Sequence, residues 1–191
     1  MRTVVFDIET ANWMSDTGSS DPADLTIAIV CLWDSGTDMY SSYLESELPK
    51  MWPILERTDI LVGYNSDHFD VPLLNKYYPG DLTRIKSLDL MNEVYKTLGR
   101  RLKLDSIAEG TLDEKKSASG PQSLRWWRAG EIEKVRAYCQ RDVEITKKIF
   151  DHALAKGAIK YKDLGAVREV KLDTSQWLAP AGGAMTYSMG F

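Results

Sequence analysis

Two acids close an apolar, β-branched run near the amino terminus, where Thr3-Val4-Val5-Phe6 leads into Asp7-Ile8-Glu9. A continuous apolar run of this kind reads as a strand buried on both faces, so the chain must build layers above and below it. The acids then mark the end at which the strand emerges into a polar site. Alternate strand residues share a face, which pairs the carboxylates of Asp7 and Glu9. Like charges held together at the end of a buried strand are unfavourable unless a cation offsets them, and hard oxygen donors suit magnesium or manganese. The competing reading is that one acid caps a turn and the other is solvated.

The rest of the chain supplies the layers. Beyond the Ser/Asp/Gly/Pro stretch from Ser15 to Asp24, residues 25–33 and 39–44 read as two further strands, making a three-strand meander with the first. Residues 47–58 read as a helix disturbed by Pro53, 60–64 as a short strand, 71–78 as a short helix and 85–90 as a fifth strand. From Met91 the pattern is helical: one segment to about Leu98, a helix near Ser106 to Glu109 capped by an S-x-x-E box, and a long helix from about Glu131 to Ala155. Residues 115–122 read as a loop, and the stretch from Lys160 as one possible strand over 167–172 followed by Ala/Gly-rich coil. An antiparallel meander followed by alternating strands and helices predicts an α/β fold with a mixed five-stranded sheet, part antiparallel meander and part parallel strands, and helices on both faces.

At 191 residues the chain is expected to form one domain, 1–191, with the motif-bearing core in 1–155 and an extension in 156–191. Cys31 and Cys139 lie far apart without CxxC spacing, so they predict no disulfide framework and favour an intracellular, cytoplasmic home. A core strand beginning this close to Met1 leaves no room for a signal peptide, and no apolar run reaches spanning length, so no membrane association is expected. The formal net charge of −4 hides a polarity. Residues 1–99 hold 7 Lys and Arg against 16 Asp and Glu, net −9, whereas residues 100–148 hold 12 against 8, net +4. The second half could therefore face phosphates, although a charged helical region is also an ordinary solvated face.

Two later segments add acids. Asn65-Ser66-Asp67-His68-Phe69-Asp70 follows the short fourth strand and puts Asp70 at a strand-to-helix junction, where it could equally be a helix N-cap. In Tyr138-Cys139-Gln140-Arg141-Asp142 the i, i+4 spacing sets a phenol and an acid on one helical face. Alone, that pair could be a core tyrosine beside a surface ion pair. Nucleotide-loop signatures are missing, since neither G-x-G-x-x-G nor G-x-x-x-x-G-K-[ST] occurs.

Taken in order, Phe6-Asp7-Ile8-Glu9-Thr10, Asn65-Ser66-Asp67-His68-Phe69-Asp70 and Tyr138-Cys139-Gln140-Arg141-Asp142 resemble the three motifs of the DEDD (DnaQ-like) superfamily of 3′-to-5′ exonucleases. Tyrosine four residues before the last acid is similar to the DEDDy branch, because the DEDDh branch would need His where this chain has Ala137. Leu102-Lys103-Leu104-Asp105-Ser106-Ile107-Ala108 resembles a helix of family B polymerase proofreading domains, so the likeness extends over about residues 1–155.

The resemblance implies an RNase H-like fold and two divalent cations, Mg2+ or Mn2+, with Asp7, Glu9 and Asp142 holding one and Asp7 with Asp70 helping to hold the second. It implies that Tyr138 orients the attacking water, that Thr10 and Asn65 contact the terminal nucleotide, and that Phe69 packs under the sheet. The implied substrate is the 3′ end of DNA or RNA, with replication or repair proteins as partners. Lys103, Arg125 and Arg128, with Lys115 and Lys116, are the candidates for backbone phosphates. Trp13, Trp126 and Trp127 could stack on bases or fill the core. Two other readings remain open: an RNase H-like endonuclease or resolvase, and a nucleic-acid-binding module without activity.

Overall fold

The computed structural model describes residues 1–114 and 120–180. Strand β1 (Thr3–Thr10) is followed by the short helix α1 (Met14–Thr17), β2 (Ile27–Asp34), β3 (Met39–Leu44), α2 (Trp52–Leu55), β4 (Ile60–Gly63), α3 (Asp70–Asn75) and β5 (Lys86–Asp89). The second half holds α4 (Leu90–Leu98), α5 (Leu104–Leu112), α6 (Gly120–Arg128), α7 (Ile132–Lys156), β6 (Ala158–Asp163) and β7 (Ala166–Lys171). The main sheet runs in the order β3-β2-β1-β4-β5. The meander β1-β2-β3 is antiparallel and the pairs β1-β4 and β4-β5 are parallel, which is the mixed five-stranded sheet expected.

β1 is central because both of its faces are apolar. Val4, Phe6 and Ile8 enter one core with Leu25, Leu48, Met51 and Leu74, while Val5 enters the other with Ile29, Cys31 and the inner residues of α7. Each face is thereby covered by helices, and the odd-numbered residues of β1 look toward α7. The register between β1 and β2 shifts between Glu9 and Thr10, an irregularity of the kind that turns a strand end toward a site.

Several local expectations give way to tertiary partners. Residues 45–51 form a 3-10 turn carrying Pro49 before the four-residue α2, instead of one helix over 47–58, since both Pro49 and Pro53 lack the N–H that a continuous helix needs. Ser106 and Glu109 do not form a capping box. The residue before α5 is Lys103, the Ser106 hydroxyl donates to the Lys162 carbonyl at 2.6 Å, and Glu109 pairs with Lys162 at 2.5 Å. Residues 120–122 open α6 in place of loop, and the remainder of the loop expected over 115–122 lies outside the described residues.

The carboxy-terminal extension contains two strands where one was expected, a hairpin of β6 and β7. Its outer edge is covered by α5, on which the Thr111 hydroxyl donates to the Lys160 carbonyl at 2.6 Å and accepts from the Lys160 N–H at 2.9 Å. Beyond the hairpin, Trp177 stacks on Phe150 with ring centroids 6.0 Å apart and donates its indole N–H to Glu93. Lys86 donates to the carbonyls of Gln176 and Ala179, tying this segment to the edge strand β5.

Candidate active site

The carboxylates of Asp7, Glu9 and Asp142 converge, with one oxygen from each lying within 4.8 Å of the other two. β1 contributes the first two on the face opposite buried Phe6 and Ile8, and α7 contributes the third. α7 can lie close because small side chains stand where it crosses the sheet. The Cys139 thiol donates to the Asp7 carbonyl at 3.3 Å, and Cys31, the residue opposite Asp7 across the β1-β2 pair, contacts the Arg136 carbonyl at 3.8 Å. Burial, with Cys31 adding, pushes the Cys139 thiol up, so it acts as a neutral packing donor and not as a thiolate.

One helical turn before Asp142, the Tyr138 hydroxyl is hydrogen-bonded to the Asp142 carboxylate. Its ionisation is pushed far above the ordinary phenol value, first by burial and then by the charges of Asp142, Glu9 and Asp7. Tyr138 is therefore a firmly protonated donor facing three acids. Trp126 meets its ring edge-on at 6.3 Å.

Asp70 stands apart from that trio. It is the first residue of α3, 5% exposed, and it lies near enough to the backbone N–H of Ile8, the residue between Asp7 and Glu9, for that group to favour its ionised form. Burial pushes its carboxyl up to about 7, against the lowering effect of the Ile8 N–H and its own backbone N–H.

Apart from a recess of about 410 Å3 along Trp126, Tyr138 and Arg141, two cavities open beside these residues. One of about 280 Å3 is walled by Ile8, Glu9, Thr10, Trp13, Phe69 and Pro121, so Phe69 lines a cavity as well as packing on the core. The other, of about 510 Å3, is walled by Tyr64, Asn65, Arg101, Lys103 and Asp105 among others. Thr10 and Asn65 thus each border a cavity, although the Thr10 hydroxyl is engaged with the Asn12 carbonyl at 3.0 Å. Lys103 borders the second cavity, and Arg125 is exposed on α6 and lines neither. Arg128 is paired with Asp16 at 2.6 Å, and Lys115 and Lys116 lie outside the described residues. Arg101 was not singled out from sequence, because an arginine beside a glycine-ended helix carries no motif.

A cluster of three carboxylate oxygens, with no thiolate or imidazole in the described cluster, fits a hard divalent cation. Three acids this close around a shared point are costly in the absence of a compensating charge.

Residues 4–154 match the profile of the RNase H superfamily. The chain belongs to the RNase H superfamily. The match supports a nuclease-type hydrolase, and it runs from the second residue of β1 to two residues before the end of α7, taking in the five-stranded sheet and the helix that completes the acidic cluster. Among solved structures, the family B DNA polymerase from the hyperthermophilic archaeon Pyrobaculum calidifontis is similar, with a TM-score of 0.63 and 21% identity over 81% of this chain. At that identity the likeness is one of fold. The RNase H-superfamily chain spans 24% of the polymerase's length. A comparison with curated proteins gave no match. No described helix is long and apolar enough to cross a membrane.

Proposed function

We propose that this chain is a metal-dependent 3′-to-5′ exonuclease of the DEDDy type, removing nucleoside 5′-monophosphates from a single-stranded 3′ end. The observation that carries the reading is the meeting of Asp7, Glu9 and Asp142, with the Tyr138 hydroxyl bonded to Asp142. In this reading Asp7, Glu9 and Asp142 hold one Mg2+ or Mn2+, and Asp7 with Asp70 helps to hold a second. Divalent cations in such a cradle acidify water and offset charge on a phosphodiester under attack.

Each side chain then has a task of its own. Asp70, beside the Ile8 N–H, offers its carboxylate from α3 to the tip of β1. Tyr138 keeps its proton, so it orients water by hydrogen bonding and does not serve as a base. Hydrolysis joins a water oxygen to the terminal phosphorus and breaks the bond from phosphorus to the 3′ oxygen, which takes up a proton as the new 3′ hydroxyl. Glu9 and Thr10 border the smaller cavity and Asn65 and Lys103 the larger, so a terminal nucleotide fits the first and the preceding strand the second. The likeness to a family B DNA polymerase favours a DNA 3′ end and a replication or repair setting.

With manganese the protein should shorten a 5′-labelled single strand one nucleotide at a time, and a chelator or Asp7→Ala should stop it. Internal cuts preceding the ladder would establish an endonuclease instead. Matched DNA and RNA oligonucleotides, single- and double-stranded, in the same assay identify the substrate.

A further inference from the structure

The end of β5 carries a second buried acid that takes no part in the cluster. Asp89 is 3% exposed and accepts four backbone N–H groups. Its Oδ1 takes those of Asn65 at 2.8 Å, Met91 at 2.9 Å and Asn92 at 3.4 Å, and its Oδ2 takes that of Asp67 at 3.2 Å. Two of these donors belong to the start of α4, where Asp89 is the N-cap. A cap of α4 explains those two and leaves the other two unexplained. The N–H groups of Asn65 and Asp67 belong to the loop that joins β4 to α3, and so to the segment that ends at Asp70.

That loop is held in a conformation it would not choose unaided. Asn65 has φ +63°, the left-handed region that an L side chain enters at a cost. Gly63 lets the chain fold back, since a Cβ there would stand 2.4 Å from the Ser66 side chain. Asn65 and Ser66 then accept from the N–H groups of Phe69 and Val71, at 3.1 and 2.8 Å, which leads the backbone into α3. The result is that the Asn65 side chain borders the larger cavity with its buried Oδ1 accepting no hydrogen bond among the described residues. Asp67 is clamped from its other end by Asn92, at 3.0 Å, and by the Ser87 hydroxyl.

We propose that Asp89 is a positioning residue for substrate: it fixes the Asn65 backbone in the left-handed region so that the Asn65 amide is already aimed at the entering strand. The inference rests on the exonuclease reading of the neighbouring cluster. Asp89 itself lines neither of the two cavities and acts through the loop.

The test compares Asp89→Asn, Asn65→Gly and the double variant. Asp89→Asn keeps one carbonyl oxygen for the donors of α4 and Asn65 but sets an amide N–H2 against the Asp67 N–H, so the helix stays capped while the loop is loosened. Asn65→Gly retains the left-handed backbone at no strain and removes the side chain being aimed. Asp89→Asn should raise KM for a single strand by about tenfold, the worth of one neutral hydrogen bond, with the manganese dependence unchanged. In the Asn65→Gly background the same change should move KM by less than about twofold, the limit expected when the two residues act as a unit. Thermal midpoints should fall by equal amounts in both backgrounds, reporting the lost Asp67 bond separately. Equal fold-changes in KM in both backgrounds, or no change in either, would overturn the positioning role. Anisotropy of a fluorescent oligonucleotide without metal reads the same pattern in Kd, so a wild-type chain that binds but does not hydrolyse would sink the exonuclease reading while the Kd values of the variants still decide this one.

Discussion

Replacing Gly110 by alanine sets helix propensity against packing, and the structure says which wins. Gly110 is interior to α5, where alanine is intrinsically better by about 1 kcal/mol. A Cβ at this position, however, would stand 2.5, 2.6 and 2.7 Å from the Cα, N and C atoms of Tyr161 in β6. All three are backbone, so no side-chain rotation can make room, and α5 and β6 must separate by roughly 1 Å to restore ordinary carbon contacts. Besides the exposed Glu109–Lys162 ion pair, the bonds across that seam are Thr111 to both polar groups of Lys160 and Ser106 to the Lys162 carbonyl, at 2.6 to 2.9 Å. Losing three such bonds, each worth about 1 kcal/mol, against the propensity gain leaves a net loss of about 2 kcal/mol. For a chain of this length the melting temperature should then fall by about 4–8 °C. Urea unfolding of Gly110→Ala beside the wild type measures it. A variant as stable as the wild type or more so would refute the argument that α5 lies directly on the backbone of β6.

Two other outcomes follow from particular contacts. Tyr138→Phe should lower kcat by about 10- to 100-fold, the loss of a positioned hydroxyl, while isothermal titration with manganese shows unchanged affinity. Asp34 is 3% exposed at its side chain and holds Arg2 through two bonds of 2.8 and 2.6 Å, with Gly36 and Thr37 also donating to it. The Arg2 guanidinium keeps the Asp34 carboxyl below the usual carboxylate range, so its contribution to stability is complete above the unfolded value near 4 and is lost as pH falls through the lower folded value. Asp34→Asn should therefore cost about 2–3 kcal/mol at pH 7 and progressively less as pH falls below about 4, measured by denaturant midpoints across that range.

The electrostatics of the site explain why its parts are separated by function. Asp7, Glu9 and Asp142 share one point and raise the cost of ionising Tyr138, whereas Asp70 lies outside that trio beside the Ile8 N–H and is raised mainly by burial, with the charge of Asp89 adding. Asp89 is buried too, yet four backbone donors surround it, and it serves the loop and α4. Burial alone thus does not distinguish an acid beside the cluster from one that braces a loop. The identity of the donors around each carboxylate does.

Local periodicity was enough to place most of the cluster. Asp7 and Glu9 fall on one face because strand residues alternate, and Tyr138 meets Asp142 because helical residues four apart lie one above the other. The mixed sheet followed from the spacing of apolar runs. The sequence could not show that Asp70 would lie beside the Ile8 N–H, that Ser106 and Glu109 would serve the β6 edge in place of their own helix end, or that Asp89 would reach back 24 residues to Asn65. Strand β6 escaped notice for a related reason, since its exposed lysines disguise Ile159 and Tyr161, which are buried only because α5 and α7 pack there. What a chain segment buries along its own axis is written in its own residues. Which distant group satisfies a buried N–H, a strand edge or a carboxylate is settled only when folding brings the partners within hydrogen-bonding distance.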